Sequence, residues 1–375
     1  MGSFPTVWQV PSILANDSNA LAMWNSISSN IPTSISVKTQ PPPSDYPSDD
    51  PDCWWTYNQC VTPKLAGVSP DISDAPEPST LGYGFDDGPQ CTHNVFYDFL
   101  RDQNQKATFY YIGSNVAKFP LEAQRGLDEG HEICVHTWSH PYMTTLSSEN
   151  AFAELWYSKH FSRPMQIIKL AVGVTPTCWR PPFGDVDDRI RAIANALGLQ
   201  TILWKYDSED ADINNSTITY DSVDNNYNNF IQTANSGTFD STGAIILTHE
   251  VNNFTMSEAV KYYPQLKSAF KYIVPVGVAL NKTQPYVETN YSLPTFEEYI
   301  SGTVTTTGTS TLNSTSAMPS TSTSSSSRSS SSVTSSNSNS SGASASSTNG
   351  AAKAMSGINL AASFIIVLSF RAYLF

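Results

Sequence analysis

The sequence predicts an α/β fold: a distorted (β/α) barrel of about seven strands, preceded by a loop-rich segment and followed by a disordered tail. Three observations carry this expectation. Between Thr80 and Leu280, short apolar runs rich in β-branched and aromatic residues alternate with stretches of helical periodicity. Before Thr80 the chain is rich in Pro, Ser and Asn, with PPPSDYPSDDPD at 41–52. Residues 301–348 are nearly all Ser, Thr, Gly, Asn and Ala, and such a stretch cannot bury enough apolar surface to fold. Repeated strand–helix units of this length imply parallel strands joined by helical crossovers. Their number favours a barrel, although the same alternation also suits an open doubly wound sheet.

In chain order, LGYGF (81–85) reads as a strand, and THNVFYDFLRDQ (92–103) as a helix with apolar residues at helical spacing. ATFYYIG (107–113) is a strand, PLEAQRGLDEG (120–130) a helix closed by Gly130, and HEICVH (131–136) a strand. SSENAFAELWYSKHF (147–161) and the stretch to Leu170 are helical, with Ser147 and Asn150 as candidate caps. DDRIRAIANALGL (187–199) is an amphipathic helix leading into the strand TILWKY (201–206). AIILTH (244–249) is a strand, MSEAVKYYPQLKSAF (256–270) a helix, and YIVPVGVAL (272–280) the last strand.

Of 375 residues 39% are hydrophobic, enough for a sizeable core, and only 14% are charged. The net charge of −13 leaves little to neutralise phosphates, which argues against a nucleic-acid partner. The five cysteines, Cys53, Cys60, Cys91, Cys134 and Cys178, form no C-x-x-C metal pair. Their spacing suits one or two disulfides in an oxidising compartment. Cys134, inside the apolar run Ile133–Val135, is the candidate for a free core thiol.

N-x-S/T sequons begin at Asn16, Asn214, Asn215, Asn253, Asn281, Asn290, Asn313 and Asn339, which favours secretion. The opening MGSFPTVWQVPSILAND has neither a basic region nor an apolar core of a signal peptide, so either a leader is missing from this version or it is unusual. MGSFPT also fits a loose myristoylation pattern, which the other end of the chain contradicts. There, small residues around Asn349 and Gly350 precede a short polar spacer and the apolar run LAASFIIVLSFRAYLF. This is the pattern of a GPI-attachment signal, with Asn349 or Gly350 as the attachment residue. A membrane-spanning helix is the competing reading, but the run is short and broken by Arg371.

Five short motifs carry candidate chemistry. In FDDGP (85–89) two adjacent carboxylates end a strand, and adjacent acids repel unless a cation neutralises one of them; turn chemistry is the bland alternative. HTWSH (136–140) places two histidines four apart just after a strand, where both can reach one metal. Two His and one Asp would leave coordination positions for water and substrate. CWRPPFG (178–184) has a stiff Pro-Pro pair fixing Arg180 and the amide of Phe183. WKYDSED (204–210) is an acidic strand end, and LTHE (247–250) sets His249 at another. Each of the last three is also compatible with an ordinary loop or structural residue. Together they stand out because nearly all lie at or just after strands, where barrel chemistry is found.

In these motifs the chain resembles the polysaccharide deacetylases of carbohydrate esterase family 4, the NodB-homology group, over about residues 78–280. Within that group it looks like the GPI-anchored fungal chitin deacetylases. FDDGP resembles the family's TFDDGP, HTWSH its H-[ST]-x-x-H, RPPF its R-P-P-[YF], DSED its D-x-x-D-W and LTH its L-x-H. The resemblance implies that Asp87, His136 and His140 bind a divalent metal, usually Zn2+ with Co2+ also possible. It implies that Asp86 is the general base, oriented by Arg180, and that the Phe183 amide holds the oxyanion. His249 would protonate the leaving amine, Asp210 would tune His249, and Leu247 would line the acetyl pocket. The implied organisation is an N-terminal segment 1–77, a deacetylase domain 78–300, a stalk 301–348 and an attachment signal 349–375. The implied substrate is chitin or chitooligosaccharide at the cell wall, hydrolysed by a monomer on the outer face of the plasma membrane.

Two departures qualify the resemblance. The family Trp after the second Asp of the fourth motif is Ala211 here, which opens one wall of the acetyl pocket; Trp204 and Trp138 are the candidates to fill it. Phe183 stands where Tyr is common, a change that a backbone role tolerates. Competing readings are a deacetylase of another acetylated polymer, such as a xylan, a peptidoglycan or a partly deacetylated glucosamine polymer, and a non-catalytic glycan-binding wall protein.

Overall fold

The computed structural model describes residues 4–159, 167–213 and 217–303. Among them, nine short strands are all paired in parallel. They are β1 (Thr80–Gly82), β2 (Gly84–Gly88), β3 (Thr108–Tyr111), β4 (Glu132–Val135), β5 (Cys178–Trp179), β6 (Gln200–Thr201), β7 (Tyr206–Asp207), β8 (Ala244–Leu247) and β9 (Tyr272–Val274). One sheet runs β7-β8-β1-β9 and the other β2-β3-β4-β5-β6. The expected α/β fold of parallel strands is therefore present, built as two sheets and consistent with a distorted barrel. A parallel bridge from Asp86, in the middle of β2, to His249, two residues past β8, joins the two sheets.

The expected strand 81–85 divides at Tyr83. Its N–H donates to Val274 in one sheet, while its carbonyl accepts from Thr108 in the other. The expected strand 201–206 is likewise interrupted. At Ile202 the pairing passes to Ile72, whose N–H donates to Thr201 and whose carbonyl accepts from Leu203. The expected strand 272–280 stops at Pro275, which has no N–H for a ladder. Val276–Ala279 turns into a helix instead, its first N–H groups taken by Thr108 Oγ1 and the Glu132 carboxylate.

Helices follow most strands: Asn94–Asp102, Pro120–Asp128, Ser148–Lys159 with Ile167–Val172, Asp188–Ala196 and Asn253–Ala269. The last begins before the expected Met256, because Asn252 caps it by accepting from the Phe254 and Thr255 N–H groups. Among the described residues, two helices longer than six residues lie outside the expected set. Tyr220–Asn235 is Asn-rich and a weak helix former, yet Val223, Tyr227 and Phe230 recur at helical spacing and are buried. Ser18–Ile27, inside the segment expected to be loop-rich, is capped by the Asp17 side chain. Among the described residues, no helix is long and apolar enough to cross a membrane.

Ala20, Ile27, Ile31 and Trp55 of the N-terminal segment belong to the same buried cluster as Phe85, Phe109, Trp179 and Ile245 of the strands. The cysteines correct one expectation. Cys134 is not a free core thiol but is bonded to Cys178; Cys53 is bonded to Cys60, and Cys91 is free and exposed. The cause is register: β4 and β5 pair with Val135 opposite Trp179, which sets the preceding residues of both strands side by side.

Candidate metal centre and active site

In a regular strand Asp86 and Asp87 would point to opposite faces. The pairing of β2 with β3 slips between Asp86 and Gly88, and Asp87 takes a left-handed conformation (φ 75°). A bulge of this kind re-aims a side chain. Both carboxylates consequently approach His136: Asp86 Oδ2 lies 3.7 Å and Asp87 Oδ1 3.4 Å from its Nε2. Asp87 Oδ1 is also 3.2 Å from His140 Nε2. The Asn115 side chain donates to the Asp87 carbonyl at 2.8 Å and pins the bulge. Gly88 must be glycine, because a Cβ there would fall 1.7 Å from the buried Glu250 carboxylate.

The histidines are held from behind. His136 Nδ1 lies 2.8 Å from the Arg180 carbonyl, which can only accept. Nδ1 therefore carries the proton, and the Nε2 lone pair faces Asp87. The loop to His140 contains two further left-handed residues, Thr137 (φ 63°) and His140 itself (φ 59°). Buried Glu154 stabilises it, accepting from the Trp138 and Ser139 N–H groups at 2.8 Å each and from the Ser139 hydroxyl. Burial pushes the Glu154 carboxyl up to about 7.

These groups fit a divalent metal. The ligand atoms of Asp87, His136 and His140 lie within 4.8 Å of one another. Bonds of about 2.1 Å at tetrahedral angles give ligand-to-ligand edges of about 3.4 Å, close to the two separations from Asp87 Oδ1. That oxygen is buried and has no hydrogen-bond partner among the described residues. Burial acts to raise the Asp87 carboxyl, but His140 and His136 outweigh it and hold it well below the usual range. A second cluster, Glu132 with Cys134 and Cys178, offers no thiolates because its sulfurs are bonded to each other.

Around the triad stand the other expected residues. Asp86 is buried and receives Arg180 Nη1 at 2.8 Å. Arg180 is wholly buried, its guanidinium 3.9 Å over the Tyr110 ring and 5.6 Å from that of Trp204. Phe183 is left-handed (φ 57°), lies edge-on to His140 at 4.7 Å and stacks on Tyr142 at 4.0 Å. Across the site His249 Nδ1 is 2.6 Å from Asp210 Oδ1, and the His249 N–H donates to Asp210 Oδ2 at 3.1 Å. Burial works against the charged ring, but Asp210, with Asp87 and Asp86 behind it, pushes His249 up to about 10. Leu247 ends β8, its carbonyl accepting from Ser208.

Ala211 lies in the short helical turn Asp210–Asp212. Neither proposed replacement is free to stand beside it unengaged. Trp138 is wholly buried against Phe4 and donates to the Thr6 carbonyl. Trp204 packs between Trp55 and Arg180. The structure also adds residues outside the motifs, Asn115, Tyr110 and Glu154, and gives Glu250, the last residue of LTHE, a partner. Tyr110, Asn115 and Glu154 had no local signal: Tyr110 meets Asp86 only through the β2–β3 register, and the other two are distant in sequence from what they hold. Glu250 pairs with buried His93 at 2.8 Å. Of the expected glycosylation residues, Asn16, Asn253, Asn281 and Asn290 are exposed, while Asn214, Asn215, Asn313, Asn339 and the attachment residues Asn349 and Gly350 lie outside the described residues.

The chain is similar to known proteins. Residues 73–202 match the family described as Polysaccharide deacetylase. Chitin deacetylase 2 of Cryptococcus neoformans var. grubii is 50% identical over 319 residues, covering 83% of this chain and 69% of that protein. The chitin deacetylase of Amylomyces rouxii is 42% identical over 293 residues, covering 76% and 68%. The solved chitin deacetylase of Colletotrichum lindemuthianum, 24% identical, superposes with a TM-score of 0.52 over 59% of this chain and 96% of its own, a likeness of fold.

Proposed function

The chain belongs to the polysaccharide deacetylase family, and from that footing we propose that it hydrolyses the N-acetyl groups of chitin to give chitosan and acetate. The observation that carries this reading is the Asp87–His136–His140 triad with a second, separately held carboxylate, Asp86, beside it. A binding module has no use for that second acid.

Asp87, His136 and His140 would hold a divalent ion, which we take to be Zn2+, with Co2+ as a substitute. When bound, it supplies Lewis acidity, bringing the pKa of water toward about 7 and polarising a carbonyl. Asp86, aimed by the Arg180 guanidinium, takes the proton from the attacking water. The Phe183 N–H donates to the oxygen on which negative charge develops. His249 delivers a proton to the amine nitrogen as its bond to the acetyl carbon breaks, and Asp210 holds its ring and its charge. Leu247 lines the space for the acetyl methyl. An ion held by Asp87, His136 and His140 would offset the Asp87 charge that helps to raise His249.

Location belongs to the same proposal. The protein is secreted, N-glycosylated and held through a GPI lipid on the outer face of the plasma membrane, at the cell wall, as a monomer. The small-residue, spacer and apolar-tail pattern at 349–375 supports this, as do two disulfides and four exposed sequons. The test of function is an acetate-release panel across chitin oligomers, acetylated xylan and peptidoglycan. Release from chitin oligomers, abolished by chelator and restored by a divalent metal, is expected. No release from any N-acetylated glycan with metal supplied would overturn the reading.

A further inference from the structure

Asp185 follows the Arg180–Gly184 loop and touches neither the metal triad nor Asp86. It is wholly buried and surrounded by donors from three other parts of the chain. Its carboxylate accepts from Gln40 Nε2 at 2.9 Å, Trp54 Nε1 at 2.9 Å and Thr56 Oγ1 at 2.6 Å, all in the N-terminal segment. It also accepts from the Thr144 N–H and hydroxyl, each at 2.8 Å, just beyond the histidine loop. One carboxylate thus ties together the loop carrying Phe183, the chain leaving His140, and the N-terminal segment.

Trp55 completes the hold. Its ring lies under left-handed Gly184, where a Cβ would fall 2.4 Å from it. It packs on Trp204 at 4.8 Å, and its N–H donates to the Val186 carbonyl. The turn bearing Trp54, Trp55 and Thr56 is closed by the Cys53–Cys60 disulfide. Arg191 clamps both ends of that turn, donating to the Cys53 and Cys60 carbonyls. Left-handed Phe183 is a conformation that non-glycine residues keep only where surroundings impose it.

We propose that Asp185 is a positioning residue for the deacetylation reaction, and that the Trp54–Thr56 turn of the N-terminal segment is the part through which it holds the Phe183 amide in place. The inference rests on the deacetylase reading. A carboxylate can accept from all these donors at once, whereas an asparagine must turn an N–H2 toward some of them. Loss of this anchor frees the 181–184 loop, so the cost falls on oxyanion stabilisation rather than on metal binding or substrate affinity.

The experiment uses the metal-loaded full-length protein and Asp185→Asn, Trp54→Phe and Glu132→Gln. Glu132, at the start of β4 and bonded to Thr108 and Gly277, is a control for lost stability alone. Wild-type acetate release establishes the parent reading independently. For Asp185→Asn, kcat on chitin oligomers should fall about 10-fold or more, with KM nearly unchanged and metal content retained. The loss should shrink on an activated aryl acetate, which needs less help at the oxyanion. Amide exchange at Gly184 and Asp185 should quicken. Trp54→Phe, which keeps an aromatic side chain but removes the indole N–H and shortens the ring, should show the same signature more weakly. Losses equal on both substrates and no larger than those of Glu132→Gln at matched melting temperature would overturn the proposal, as would unchanged kcat in Trp54→Phe with unchanged exchange.

Discussion

Asp210→Asn should change the pH dependence of both stability and turnover. Asp210 holds His249 through two bonds, one to the ring at 2.6 Å and one to the main-chain N–H at 3.1 Å. An asparagine can keep only one of them. With its oxygen on the main-chain N–H, its amide faces Nδ1 and forces the neutral tautomer protonated at Nε2. In the wild type without metal, His249 is raised from 6.5 to about 10. A raised histidine stabilises the folded state fully below its unfolded value, and that contribution fades as pH climbs through about 10. At about 1.4 kcal/mol per unit, the pair contributes a ceiling of about 5 kcal/mol. In chelator-treated protein, urea unfolding should show Asp210→Asn several kcal/mol less stable near pH 6 (about 3–5), the gap closing toward pH 10.5. In the metal-loaded enzyme, the alkaline limb of kcat against pH should move to lower pH. A constant stability gap across that range, with an unmoved alkaline limb, would refute the account of His249 as a charge held by Asp210.

Two further outcomes follow from the geometry. Asp86→Asn should lower kcat on the order of 10³-fold with metal content unchanged, whereas His136→Ala should lose metal and activity together; elemental analysis beside acetate release separates them. Removing the Cys134–Cys178 disulfide, which spans 44 residues, by a double change to alanine should cost about 4 kcal/mol in urea melts, and reductant, which also opens Cys53–Cys60, should cost the parent at least as much.

How much of the site was legible depends on how local its chemistry is. FDDGP and HTWSH carry ligand types within five residues each, and the structure brings Asp87, His136 and His140 within metal-binding distance. The bulge that turns Asp87 toward the histidines had no local mark, because it is a property of the β2–β3 register. Glu154 and Asp185 were not legible as supports, since each acts on residues from other segments.

The chain by itself determined the strand–helix alternation, the motifs at strand ends and the chemical identity of the ligands, because these depend on periodicity and side-chain type over short spans. Only the tertiary structure decided the break of one expected strand at Tyr83, the partner of Cys134 and the docking of Trp54 and Trp55 beneath the Phe183 loop. Those outcomes depend on which distant segments meet and in what register. That choice is made by burying one continuous core, and no short stretch of sequence contains it.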